Sequence, residues 1–205
     1  MTVPDHDQNT TAPWARALSF PAVLRDGRRV RIRPITPADK TRIVDALGAM
    51  SARTRFLRFH APRTGFTKDE LRRLTELDFE NHVAWGAIAE HEPGRPGIAV
   101  ARFSRDQAAP DTADFSITVV DAWQRSGLGS LLLQTLLVSA AELKLRRLRG
   151  TVLRGNAAAL RMFERLGGQP IRSDGDTVVV DIPVMPDHRT PKMSQEVLIR
   201  RQVAG

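Results

Sequence analysis

A strand that feeds a glycine-containing turn at the start of an apolar helix is suited to holding an anion. The stretch Asp114-Phe-Ser-Ile-Thr-Val-Val-Asp-Ala-Trp-Gln-Arg-Ser-Gly-Leu-Gly-Ser130 has this form. Within it, Gln124-Arg125-Ser126-Gly127-Leu128-Gly129-Ser130 opens the helix. Gly127 and Gly129 let the backbone approach a ligand closely and leave first-turn N–H groups free. Those N–H groups, with the positive end of the helix, suit a pyrophosphate. The segment lacks the Gly-Lys-Ser/Thr of a Walker loop, and its glycine spacing is not that of a dinucleotide fingerprint. The plainer alternative is a turn that glycine merely eases at the start of a core helix.

Asp114 stands on the strand leading into this turn. By the period of two, Asp114, Ser116, Thr118 and Val120 share one face, and Phe115, Ile117 and Val119 the other. Asp114 is the only carboxylate on that strand; it could handle a proton, or it could cap the preceding turn. Glu80, Glu90, His82 and His91 are the rival titratable groups, the histidines flanking another strand. The chain has no cysteine and no tyrosine, which excludes disulfides, thiolate ligands, a thiol nucleophile and any phenol-dependent step.

The elements that must position these residues read as follows. Val30 and Ile32 alternate with arginines in a strand, and Thr36-Pro37 starts a helix running to about Met50. A short helix or turn covers Ser51 to Phe59, and Thr67-Lys-Asp-Glu70 is a capping box opening another helix. His82 to His91, Ile98 to Arg105 and Ala113 to Val120 form an antiparallel meander, with Glu92-Pro-Gly-Arg-Pro-Gly97 as its first turn. A helix from Gly127 to about Lys144, a strand from Arg147 to Leu153, a helix capped by Asn156 and a strand from Thr177 to Ile182 complete the order. The crossover from Ala113 to Leu153 is long enough for a right-handed parallel connection. The fold class is therefore α+β, a single mixed sheet in one domain over residues 27–183. Residues 1–26 read as a mobile arm and 184–205 as a tail, with a short amphipathic helix around Val197 to Val203.

At 205 residues with 41% hydrophobic and 26% charged residues, the chain can bury a substantial core. No apolar run approaches a membrane span, and the first residues lack a secretory signal, so the expectation is a soluble, cytoplasmic protein. The net charge is +8, from 31 basic and 23 acidic residues. Much of the excess lies between Glu142 and Arg172, which holds Lys144, Arg146, Arg147, Arg149, Arg154, Arg161, Arg165 and Arg172. Such a patch could meet nucleic acid or a phosphorylated small ligand. Phe163 is its only aromatic residue, so sequence-specific nucleic-acid binding is not expected.

Two motifs together resemble the GNAT superfamily of acyl-CoA-dependent N-acetyltransferases. One is Gln124-Arg125-Ser126-Gly127-Leu128-Gly129, similar to the superfamily's Gln/Arg-x-x-Gly-x-Gly/Ala. The other is the helix Asn156-Ala-Ala-Ala-Leu-Arg-Met-Phe-Glu-Arg-Leu-Gly167. The likeness covers about Arg28 to Ile182. Ser51-Ala-Arg-Thr-Arg-Phe-Leu-Arg-Phe59, Leu74-Thr-Glu-Leu-Asp-Phe79 and Asp121-Ala-Trp-Gln124 resemble, more narrowly, the catalytic domain of bacterial protein lysine acetyltransferases. Some of those carry an additional cyclic-nucleotide-binding or acyl-CoA-synthetase-like domain, for which 205 residues leave no room. A stand-alone catalytic domain is expected.

The resemblance implies a GNAT fold: a twisted sheet of about six or seven strands, helices on both faces, splayed between the family's fourth and fifth strands to admit acetyl-CoA. It implies that Arg125 to Ser130 hold the pyrophosphate through backbone amides and that Val119 and Val120 pair with the pantetheine arm. A main-chain N–H there would polarise the thioester carbonyl. Asn156 would contact the CoA arm, or serve only as a helix cap. The general base of the lysine acetyltransferases is a Glu, and Asp114 stands at the matching position. Many relatives place a Tyr acid near Phe163, which here would pack against the ligand arm or the core. The implied reaction is direct attack of an amine on acetyl-CoA. A protein lysine is the expected acceptor and a small-molecule amine the alternative. A non-catalytic acyl-CoA-binding module is the competing class, and oligomeric state is left open.

Overall fold

The computed structural model describes residues 19–185. The tail helix expected around Val197 to Val203 and most of the expected arm lie outside these residues. The described chain forms one sheet of eight strands in the order β1-β2-β3-β4-β5-β6-β8-β7. Its strands are β1 (Phe20–Val23), β2 (Arg29–Pro34), β3 (His82–Ile88), β4 (Gly97–Arg105), β5 (Thr112–Val119), β6 (Arg147–Leu153), β7 (Gln169–Asp174) and β8 (Thr177–Pro183). The helices are α1 (Lys40–Gly48), α2 (Ala52–Phe59), α3 (Lys68–Thr75), α4 (Leu128–Glu142) and α5 (Ala157–Arg165).

The eight strands exceed the expected six or seven, because two segments not read as strands from the sequence join the sheet. Phe20–Val23, assigned from sequence to the arm, pairs antiparallel with β2. Pro21 is tolerated there because β1 is an edge strand, where a missing N–H need not break a ladder. Gln169–Asp174 pairs with β8 at the other edge, with a register shift between Pro170 and Arg172. Every residue of β7 is exposed, so it carries none of the apolar alternation that marks a half-buried strand.

Local chemistry fixes the helix starts. Pro37–Asp39 is a 3-10 turn rather than the first turn of one long helix, and α1 follows it. Ser51 Oγ accepts a hydrogen bond from Thr54 N at the start of α2. The capping box at α3 forms as expected: Glu70 N donates to Thr67 Oγ1 at 3.2 Å and Thr67 N to Glu70 Oε2 at 2.8 Å. Asn156 Oδ1 accepts from Ala159 N at the start of α5.

The core lies beneath α4. Leu128, Leu132, Leu133, Leu136 and Leu137 are fully buried, each removal from water contributing about 1.5–3 kcal/mol. Trp85 Nε1 donates to Ser139 Oγ at 2.9 Å, tying β3 to this helix. Helices α4 and α5 cover the sheet face that carries Trp85, Phe115 and Val119; α1 and α2 lie against the opposite face, which carries Ser116, Thr118 and Val120.

Candidate active site

All neighbouring strands pair antiparallel except β5 and β6, which are parallel. Their pairing is short: Thr112↔Arg147, Ala113↔Leu148 and Asp114↔Arg149, and no further. β5 nevertheless continues to Val119, paired on its other side with β4 along its whole later length. The sheet therefore parts between β5 and β6, and the later half of β5 is a sheet edge facing a gap.

The register shows which backbone groups face that gap. Val119 lies opposite Ala99, and Val120 N donates to Ile98 O at 2.9 Å. Hydrogen bonds that bracket a residue pair in this way belong to a non-hydrogen-bonded antiparallel pair. The N–H and C=O of Val119 therefore point away from β4, toward the gap, and so do those of Ile117. The Val119 carbonyl accepts from Gln124 Nε2 at 3.1 Å. Val120 does not offer its amide, which Ile98 already holds, and its carbonyl accepts from Trp123 N. Of the two valines expected to face an extended ligand, the strand presents Val119. Ile117, absent from the sequence-based set, joins it; the antiparallel alternation of bonding could have pointed to it once the partner strand was known.

At the end of this edge lies the turn into α4. Gly127 has φ +92° and Arg125 φ +62°, both left-handed. A β-carbon at Gly129 would stand 3.3 Å from Met162 Sδ and 3.8 Å from Val119 Cγ2. The glycine thus keeps the approach between α4, α5 and the β5 edge narrow but open. Leu128 is buried and contributes only backbone here. The Ser126 hydroxyl is turned inward, donating to Trp123 O at 2.7 Å. Ser130 lies in the first turn, and Arg125 is exposed at its entrance.

Residues not expected at the site adjoin it. The β1–β2 turn lies against the loop: Arg25 N donates to Ser126 O at 3.1 Å, and the Arg25 side chain rests against Gly127. Arg28 stacks over the Trp123 ring at 3.9 Å and donates to Ala122 O. Asp121 accepts from Ser51 N, Ser51 Oγ and Thr54 Oγ1, joining the start of α2 to the same loop.

Asp114 is exposed and sits where the β5–β6 pairing ends, lining a cleft with Arg73, His82, Arg102, Ser104 and Ser116. Partial burial raises its pKa; the Asp106 carboxylate adds to this, Arg149 opposes it, and Asp181 raises it again. Phe163 is buried and meets Phe115 edge-on, 5.1 Å between ring centroids. Asn156 is engaged as a cap. The basic stretch is partly neutralised: Arg149 makes two 2.8 Å bonds to Asp181, and Arg146 and Arg147 approach Asp111. Glu90 is held by Arg31 and Arg95, and its carboxyl lies below the usual range through the Arg31 bond above all.

Residues 29–169 match the family model for the acetyltransferase (GNAT) domain. The chain belongs to the GNAT acetyltransferase family. It is 33% identical over 172 residues to acetyltransferase Pat of Mycolicibacterium smegmatis, covering 84% of this chain and 51% of that protein. It thus spans about half the length of that relative. The GNAT domain of S. lividans PAT superposes with a TM-score of 0.74 at 30% identity, over 84% of this chain and 98% of that one. The Salmonella typhimurium protein yncA with its cofactor acetyl-CoA shares the fold, with a TM-score of 0.59 at 18% identity over 76% of this chain and 94% of that one. Acetyl-CoA is the donor that GNAT acetyltransferases use. Among the described residues, no helix is long and apolar enough to cross a membrane.

Proposed function

We propose that this chain transfers the acetyl group of acetyl-CoA to the side-chain amine of a protein lysine by direct attack. The observation that carries the reading is the β5 edge, which beyond Asp114 has no strand of the described residues on its β6 side and leads into the Gly127–Gly129 turn. It offers a strand-like arm a ladder partner and a phosphate group a helix start, in one continuous track. The similarity to the two Pat proteins supports a protein lysine as acceptor.

Each residue then has a distinct task. The first-turn amides of α4 hold the pyrophosphate, with the left-handed Arg125 and Gly127 shaping the turn. The Val119 or Ile117 N–H donates to the thioester oxygen as negative charge develops there. Asp114 accepts the amine's proton. At about 3.4 Å per strand residue, Asp114 is about 10 Å from Ile117, so the proton travels through water. A lysine amine of pKa about 10.4 is neutral in roughly one molecule per thousand at pH 7.5, which is why a proton acceptor matters. The raised pKa of Asp114 makes it a better base than an ordinary carboxylate. The leaving thiol, of pKa about 8.5, departs as thiolate at a cost of about 1.4 kcal/mol at pH 7.5, so the absence of tyrosine is tolerable.

Incubation with acetyl-CoA and lysine peptides, followed by mass spectrometry, tests the reading. Acetyl-lysine formation that Asp114→Asn suppresses supports it. Acetyl-CoA binding without transfer to any peptide or amine would turn the chain into a binding module.

A further inference from the structure

The β5 face that carries Asp114 also carries Ser116, Thr118 and Val120, and the last three line a cavity of about 80 Å³ between the sheet and helices α1 and α2. Its wall is largely apolar, with Ile43, Leu47, Phe59, Leu74 and Ile98 among its residues. Four guanidinium groups and one carboxylate also line it: Arg33, Arg42, Arg58, Arg102 and Asp39.

The single carboxylate is fully committed. Asp39 is buried, receives both terminal nitrogens of Arg33, and also accepts from Arg42 Nη1 at 3.3 Å and Thr36 N at 2.9 Å. Burial pushes its pKa up, but the Arg33 and Thr36 bonds prevail and hold it below the usual range. Arg33 and Arg42 are thereby partnered.

Arg58 and Arg102 have no carboxylate partner, although Arg58 also lies over the Phe59 ring at 4.9 Å. Arg58 Nη2 donates to Ser116 Oγ at 2.9 Å, and Arg102 Nη2 to Leu74 O at 3.2 Å. Both acceptors are neutral, and neither arginine makes an ion pair among the described residues. Burial draws both groups down to about 10, with Arg63 adding to the effect on Arg58 and Arg58 to that on Arg102. Two neighbouring, partly buried cations without an ion-pair partner are unfavourable in an empty protein. Such unfavourable arrangements collect where a ligand relieves them.

Their position names the ligand. Arg102 lies directly across from Ser116 on the neighbouring strand, and Ser116 is two residues from Asp114 on the same face. Helices α4 and α5 pack directly on the other face, so the attacking amine approaches from the cavity side, between the sheet and helices α1 and α2. We propose that Arg58 and Arg102 form an acceptor subsite, and that the preferred acceptor carries a carboxylate close to its amine. The subsite rests on the acetyltransfer reading above. A guanidinium fork matches a planar carboxylate, and a singly charged group enters an apolar-walled cavity at less desolvation cost than a dianion. The carboxylate comes either from a Glu or Asp side chain beside the target lysine or from a small amino acid.

Matched acceptors distinguish these sources: lysine peptides with Glu or Gln at the positions flanking the lysine, and 4-aminobutyrate against 4-aminobutanamide. For each, kcat/KM is measured with acetyl-CoA, and equilibrium binding is measured separately with CoA present. The expected result is a preference of at least tenfold for the carboxylate member in one of the two pairs. Arg58→Gln and Arg102→Gln should each reduce it to near unity, and Arg102→Lys should retain part of it. Unchanged acetyl-CoA affinity shows that the variants are folded, since other elements bind the donor. Turnover without preference in either pair overturns the subsite and leaves the acetyltransfer reading standing. Preferential binding without turnover upholds the subsite and defeats that reading. A preference that survives undiminished in both Gln variants also overturns the proposal.

Discussion

The ring of Phe115 lies across the backbone of Gly150, so close that a β-carbon at Gly150 would stand 2.7 Å from its Cε1 atom. Phe115 follows the last β5 residue paired with β6, and Gly150 is the β6 residue after Arg149, the last partner. The ring, backed edge-on by Phe163, fills the place where the strands diverge. Gly150→Ala should therefore destabilise the fold, by about 1–3 kcal/mol as overpacking costs, with a matching fall in denaturant midpoint. Restoration by a double variant, Gly150→Ala with Phe115→Leu, would tie the loss to this contact.

The turn into α4 gives a second prediction. Gly127→Val places a β-branched residue at φ +92° against the Arg25 side chain, and Gly129→Val drives methyl groups at Met162. Each should reduce acetyl-CoA affinity by at least tenfold in calorimetry. Circular dichroism would separate this from unfolding.

Asp114→Asn should lower kcat/KM by about 10²–10⁴-fold while acetyl-CoA affinity stays nearly constant. A base works only when deprotonated, so wild-type kcat/KM should fall with acid through the raised pKa of Asp114, above the ordinary aspartate range. The same shift has a stability sign. A carboxyl raised in the folded state favours folding when protonated, and that contribution is lost as pH rises through its folded value. Asp114→Asn should thus be no less stable than wild type at neutral pH. Activity within about threefold of wild type would remove Asp114 from the mechanism.

Glu70 behaves in the opposite sense. The Arg63 bond first, then the Thr67 amide, take its pKa from 4.5 to about 2. Its contribution is present above the unfolded value and disappears as pH falls toward the folded one. Thermal melts of Glu70→Gln and wild type should differ at pH 6 and converge between about pH 4.5 and 2.

Much of this was legible in the sequence because it is local. Gly127 and Gly129 before a leucine-rich helix, the Thr67/Glu70 box and the Asn156 cap are patterns of a few residues whose physics needs no partner strand. What stayed hidden depends on partners. Polar β7 and proline-bearing β1 are strands only because β8 and β2 offer edges to them. Whether Val119 or Val120 turns its amide outward depends on the Ala99 register. Arg58 on a helix and Arg102 on a distant strand carry no local pattern that links them; only the fold brings both to one cavity.

The short β5–β6 pairing has a consequence for how the protein holds together. Along the plane of the sheet, the meander of the first five strands and the unit of the last three share only the residues from Thr112 to Asp114 on one side and Arg147 to Arg149 on the other. Elsewhere along that seam, no strand of the described residues pairs with β5, and the Val119 carbonyl takes a side-chain donor, Gln124, instead of a ladder partner. An amide-bearing arm lying there would act as an interstitial ninth strand, closing the gap between the two halves of the sheet. Occupancy should accordingly slow hydrogen exchange most at Ile117 and Val119, and saturation at about a hundred times the dissociation constant should add about 2.7 kcal/mol to the whole molecule.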